Sequence, residues 1–190
     1  MVKLHEVCLV VMEEVKNLRS CVACAAIDTF ASLYANLQKD MDNEAERTGR
    51  ILLLRIAQAS ANTFVQQQVN VALAALVQNC SPGRVLTLLL NTGLCHLSPA
   101  VRTSTAQQLQ RLADRLGAAA VLRSGQSFTL RFLIALSKIS LDAAAEVRAH
   151  GRAIIETLAQ HRDFMQLWQQ TIPLNEQISL EKIVQNAAKK

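Results

Sequence analysis

Apolar residues recur along this chain at helical spacing. Leu4, Val7, Cys8, Val11, Met12 and Val15 fall at i, i+3, i+4 and i+7 intervals, the stripe of a helix buried on one side. After Asn17-Leu18-Arg19-Ser20, a second stripe runs through Ala23, Ala26, Ile27, Phe30, Leu33, Tyr34 and Leu37. The acidic segment 40–46 (DMDNEAE) suits the positive end of a third helix reaching about Gln58. Thr63 and Gln66 have capping-box spacing at the start of a fourth, whose inner face carries Val65, Val69, Ala72, Leu73 and Leu76. Ser81-Pro82 and Ser98-Pro99 each put a capping hydroxyl before a proline suited to the first helical position. Gly93 and Gly117 stand where those two helices should end. A loop around Ser124-Gly125 leads to a helix bearing Phe132, Leu133, Leu136 and Ile139. The segment 144–161 is the next, and two shorter helices near 163–170 and 176–187 flank Pro173.

The expected helices pair, and the pairs repeat. Ile27/Phe30, Leu73/Leu76, Leu109/Leu112 and Ile155/Leu158 take equivalent places in the second helix of each pair. From 27 to 73, 73 to 109 and 109 to 155 the steps are 46, 36 and 46 residues, near the length of HEAT and armadillo units. Arginine recurs near the start of three second helices (Arg19, Arg102, Arg148), with Gln66 in the fourth. The expected fold is all-α: an α-solenoid of HEAT-like helical hairpins forming one domain over 1–190. About four pairs (2–39, 41–79, 82–117 and 124–161) precede C-terminal capping helices at 163–188.

Composition agrees and removes some functions. Hydrophobic residues make up 51% of the 190, with only 3 Pro and 6 Gly, which supplies a continuous core and favours helix. Aromatics at 4% are too few for stacking platforms that hold single-stranded nucleic acid. The net charge of +5 suits an acidic partner without choosing one. Nucleic-acid binding would rest on that charge alone. The longest apolar runs, VCLVVM and VALAALV, fall far short of the roughly 20 residues a membrane span needs. No membrane attachment is expected, and charges break the N-terminal apolar run as no signal peptide would. An intracellular, reduced protein follows, with Cys8, Cys21, Cys24, Cys80 and Cys95 on apolar helix faces.

Catalytic signatures are missing. The chain has no glycine-rich phosphate loop, G-x-S-x-G or H-E-x-x-H. Cys21 and Cys24 have C-x-x-C spacing, but inside a helix and without a second pair for zinc. His5, His96, His150 and His161 are scattered. Glu13-Glu14 and Glu44/Glu46 read as solvated or dipole-facing groups. No enzyme activity, cofactor or metal is expected. Gly151 within a helix reads as a point of close helix approach.

In a stack of hairpins the inner stripes are consumed by packing, so function falls to an edge. The short turns inside the pairs, at 17–20, 59–64, 94–99 and 140–145, present Arg19, Asn62, Thr63, Phe64, His96, Ser98, Arg102, Asp142 and Arg148. Phe64 is either an exposed anchor or a staple beneath its turn. Arg102 and Arg148 either meet a partner or bridge within the array.

The runs LRSCVACAAIDTFASLYANLQKDMDNEAERTGRILLLRIA, FVQQQVNVALAALVQN, TGLCHLSPAVRTSTAQQL and EVRAHGRAIIETLAQHRDFMQLWQQTIP resemble TOG domains. The similarity is to the last TOG domain of the crescerin family, the TOG-array regulators of axonemal microtubules, over nearly the whole chain. LQKDMD, the stretch 93–102 (GLCHLSPAVR) and Val147-Arg148-x-x-Gly151-Arg152 carry most of it. The resemblance implies a HEAT-repeat paddle that binds α/β-tubulin or microtubules through intra-repeat loops, in the cytoskeleton of a cilium or axoneme. Arg19 would fall in one such turn, Asn62 to Phe64 in the next, His96 to Arg102 in the third and Asp142 to Arg148 in the fourth. It further implies that the N-terminal repeats of a six-repeat TOG domain are missing, with the tryptophan of its first loop, a role Trp168 cannot fill. The alternative is a HEAT/armadillo scaffold that docks another ciliary protein and binds tubulin little.

Overall fold

The stripes become helices because each buries its apolar side against the next. The computed structural model describes residues 2–59 and 62–188, and its regular elements are all helical. They are α1 (Val2–Val15), α2 (Ser20–Leu37), α3 (Asp42–Gln58), α4 (Thr63–Asn79), α5 (Pro82–Leu88), α6 (Pro99–Leu116), α7 (Ala118–Arg123), α8 (Gln126–Ser140), α9 (Ala145–Leu158), α10 (Phe164–Thr171) and α11 (Leu174–Ala188). A 3₁₀ turn (Gln38–Met41) joins α2 to α3, and a wide π turn (Leu89–Gly93) extends α5. The fold is of the α-solenoid type, built of helical hairpins. The chain divides within α6 into two compact units, Met1–Gln108 and Leu109–Lys190.

In the first unit α1 packs on α2 and α3, α2 on α4, and α3 on both α4 and α5. Ile27, Phe30, Tyr34, Leu52, Leu73 and Leu76 are wholly buried between them. The Tyr34 hydroxyl is inside as well, hydrogen-bonded to Thr48 Oγ1, and Thr48 Oγ1 donates to the Glu44 carbonyl at 2.8 Å. Burial pushes the Tyr34 phenol well above its ordinary pKa, so it stays neutral and both groups remain satisfied. Polar links join neighbouring hairpins at close to one repeat length: His5 to Glu44 at a separation of 39 residues, Ser20 to Asn62 at 42, and Ser104 to Asn70 at 34.

The second unit repeats the device. Phe132, Leu136, Ile155, Leu158 and Phe164 form its core. His150 links to Gln110 at a separation of 40, Arg123 to Asp163 at 40 and Ser137 to Glu176 at 39. Hydrogen bonding from Arg123 holds the Asp163 carboxyl below the usual carboxylate range.

Some local expectations change. Thr63 and Gln66 do not form a capping box: Asn62 caps α4, accepting from Val65 N–H at 3.1 Å, and Thr63 is the first helical residue. Asparagine is as good a cap, and one residue earlier. Pro82 does open α5, but the Ser81 hydroxyl turns to Asp42 instead of capping it. The short α7 lies where 82–117 was expected to give way to a loop. Gly117, at φ +78°, separates it from α6 as a left-handed stop. Cys21 and Cys95 are exposed, not on buried faces, while burial and then Glu44 push the Cys8 thiol up to about 11. By length and apolar content the stretch Ser20–Gln58 could pass for a membrane span. It is not one continuous helix, however: Gln38, at φ 48°, turns the chain between α2 and α3, and Ala23, Ile27, Phe30 and Tyr34 are spent on the core.

Gly151 is a point of close approach. A Cβ there would lie 2.9 Å from Ser140 Cα and 3.0 Å from Ser140 N, so the end of α8 would have to move. Gly151→Ala is expected to cost about 1–3 kcal/mol despite alanine's better helix propensity, measured by urea unfolding. An unchanged or raised midpoint would contradict this packing.

Candidate functional site

Each hairpin turn has carbonyl groups that lie outside both of its helices and need donors. Side chains meet that need in a recurring way. The Arg102 Nη1 donates to His96 O at 2.9 Å and Leu97 O at 3.0 Å. Arg148 Nη1 donates to Asp142 O at 2.8 Å and Ala143 O at 2.7 Å. Gln66 Nε2 donates to Ala59 O at 3.0 Å. All three are the fourth residue of their helices, where the side chain lies over the turn just left behind. In the first turn that place is taken by Ala23, which has nothing to donate. Arg55, one hairpin further on, supplies the bond instead, from Nη2 to Asn17 O at 3.2 Å.

The geometry separates the candidates. Arg102 and Arg148 clamp their own turns, and Gln66 does the same work as arginine. Arg19 is not their equivalent. It stands just before α2, its backbone N–H bonded to Asn17 Oδ1 at 2.9 Å, and its exposed guanidinium has no partner among the described residues. Ser98 N–H donates to His96 Nδ1 at 3.0 Å, which places the proton of the neutral His96 ring on Nε2. Asp142 does for the fourth turn what Asn17 does for the first, Oδ1 accepting from Ala144 N–H at 2.8 Å.

Three of the four turns belong to the first unit and share one end of its helices. Arg55 ties the first turn to α3, Asn62 Nδ2 reaches Ser20 Oγ at 3.5 Å, and His96 lies beside Leu54 in the last part of α3. This brings together Arg19, Asn62, Thr63, Phe64, His96, Ser98 and Arg102. The turn with Asp142 and Arg148 lies in the second unit and is a site only in its own right. Ser60 and Ala61, inside the second turn, lie outside the described residues.

Apolar side chains on the same turns stand in water. Leu18 is 96% exposed, Leu97 93% and Phe64 57%. Leu18 and Leu97 each sit one residue before a helix cap, where an apolar group ordinarily staples onto the first turn of the helix. Neither does so. Phe64 is exposed as well, not a staple beneath its turn. Sequence reading selected Phe64 and passed over Leu18 and Leu97. Their shared register, two residues before Ser20 and two before Pro99, was the signal that could have found them. Among the described residues no three His, Cys, Asp or Glu side chains are placed to share a metal ion.

No protein-family model matches the chain. Curated proteins do. It is 35% identical to TOG array regulator of axonemal microtubules protein 1 of Mus musculus over 184 residues, 97% of this chain and 10% of that protein. The Homo sapiens protein of the same name matches at 42% over 91 residues, 48% of this chain and 5% of its own. Crescerin-like protein che-12 of Caenorhabditis elegans matches at 26% over 187 residues, 98% of this chain and 14% of its own. The chain thus spans only 5–14% of the length of these relatives. Among solved structures, a designed armadillo repeat protein in complex with the peptide (KR)4 covers 94% of the chain at a TM-score of 0.37 and 13% identity. That likeness is too loose to bear on fold or partner.

The clamp and the free arginine should behave differently. Arg102→Ala removes a charged donor from two turn carbonyls and is expected to cost about 1–3 kcal/mol. Arg19→Ala should stay within about 0.5 kcal/mol of the parent. Denaturant unfolding of the two variants compares them, and equal losses would contradict the assignment.

Proposed function

We propose that this chain, which belongs to the crescerin family of TOG-array proteins, is a non-catalytic tubulin-binding module that regulates microtubule assembly in the cilium. The contact surface is the turn edge of the first unit. Leu18, Phe64 and Leu97 are its apolar anchors, one from each turn, and Arg19, Asn62, Thr63, His96 and Ser98 form the polar rim around them. The observation that carries this reading is the exposure of the anchors. A fold gains nothing by holding leucines 96% and 93% in water at its first and third turns, whereas a partner that covers them recovers their apolar area. A few such side chains can supply most of an interface's free energy.

The rim decides rate and selectivity more than affinity. Arg19 is free to meet a carboxylate, so association with an acidic surface such as tubulin's should slow as salt rises. Arg102 acts one step back, holding the His96–Leu97 backbone so that Leu97 is presented in one place. Arg148 and Asp142 shape the fourth turn in the same manner, as a candidate contact in its own right. The names of the mouse and human relatives place them at axonemal microtubules, which supports the ciliary setting. Several modules in one long polypeptide would raise the avidity of each.

Leu18→Asp with Leu97→Asp is expected to weaken co-migration with α/β-tubulin on size exclusion by at least about tenfold in affinity, the removal of two anchors. Both positions are solvent-exposed, so unfolding midpoints should not move. Tubulin binding undiminished in the folded double variant would sink the edge reading.

A further inference from the structure

We infer that the groove between α3 and the π turn is a second binding site, for an extended peptide rich in glutamate or aspartate. It lies on the flank of the first unit and does not include the apolar tips, so it stands whether or not those tips meet tubulin.

The walls follow from packing. Gly49 lets α3 approach α5 so closely that a Cβ there would lie 2.2 Å from Leu88 Cδ2. Immediately after Leu88 the backbone widens into the π turn, a rare irregularity frequent at functional sites. Gly93 closes that turn against Thr105, where a Cβ would lie 2.9 Å from Thr105 Cβ. The helices are thus tight at Leu88 and open beyond it, leaving a cleft of about 630 Å³ whose lining includes Asn43, Arg47, Arg50, Leu54, Asn91 and His96.

The chemistry of the lining selects the occupant. Acidic groups on α3 are already engaged: Asp42 by Ser81, Glu44 by His5, and Glu46 Oε1 by Asn91 Nδ2 at 3.2 Å. The arginines are less so. Arg47 reaches only the ring of His5, at 3.1 Å from Nε2, and Arg50 is exposed with no partner among the described residues. The Nε2–H of His96 is a further donor, because Nδ1 already accepts from Ser98. Two guanidinium groups and the His96 N–H outnumber the one carboxylate of the lining, Glu46, so the cleft favours an anion.

Length makes the anion a peptide. From Asn43 to Leu54 the helix rises about 16 Å at 1.5 Å per residue, room for about five extended residues. Arg47 and Arg50 stand one helical turn apart, a match to carboxylates on alternate residues of such a strand. Asn43 and Asn91 offer amides to its backbone, and the second oxygen of Glu46 can accept a peptide N–H. A polyphosphate chain has no N–H to give that oxygen, and the lining has no Phe, Tyr or Trp face for a base.

The test is fluorescence anisotropy of a labelled glutamate-rich peptide against the whole chain, without tubulin. Saturable binding is expected, absent for the same peptide with glutamine at every glutamate. Arg47→Glu with Arg50→Glu should weaken it by about tenfold or more, and Arg50→Glu alone by less. Leu18→Asp with Leu97→Asp should leave it unchanged, which separates failure here from failure of the tubulin reading. Arg152→Glu, an exposed reversal in the second unit, controls for general charge. Equal weakening by Arg152→Glu, equal binding of the glutamine peptide, or stronger binding of single-stranded DNA of matched charge would each overturn the site.

Discussion

A short turn between paired helices carries carbonyl groups that belong to neither helix and must find donors or face water. The solution is a donor set just inside the following helix: Gln66, Arg102 and Arg148 each fold back over their own turn. The first turn, with Ala23 in that place, borrows Arg55 from the next hairpin. At the third turn these bonds hold the His96 and Leu97 backbone against the start of α6. Only a fixed turn can offer a side chain such as Leu97 to solvent at a constant position, so the presentation of the edge depends on the clamps beneath it.

The same arrangement separates two duties that arginine could perform alike. A guanidinium spent on carbonyl groups is structural, and its charge is partly neutralised by the dipoles it caps. One without a partner, as at Arg19 or Arg50, remains available to an acidic surface. Division of labour of this kind lets the fold tolerate a net charge of +5 without placing all its cations on one binding face. Glycines act at the other contacts: Gly49 and Gly93 shape the groove beside the third turn, and Gly151 draws α9 onto α8.

Much of the fold was legible because burial and periodicity are the same physical fact. The stripes at Ile27/Phe30 and Ile155/Leu158, the proline opening α5 and the stop at Gly117 all appear as expected. The site was less legible. Arg19, Arg102 and Arg148 look alike in sequence, yet a shift of four residues relative to the helix start puts Arg19 outside the clamp set. Leu18 and Leu97 read as ordinary turn residues, since periodicity reports which side chains a helix buries and says nothing of one left out. The π turn escaped for a related reason: one extra residue in a helical turn leaves an apolar pattern almost unchanged over so short a stretch.

Hydrogen–deuterium exchange of the chain, alone and with saturating α/β-tubulin, tests the central claim most directly. The edge reading predicts new protection at the backbone amides of 17–20, 62–65 and 96–98, with little change in the middle of α2 and α4. Protection confined to the helix faces, or to the groove lined by Arg47 and Arg50, with the three turns exchanging as in the free chain, would contradict it.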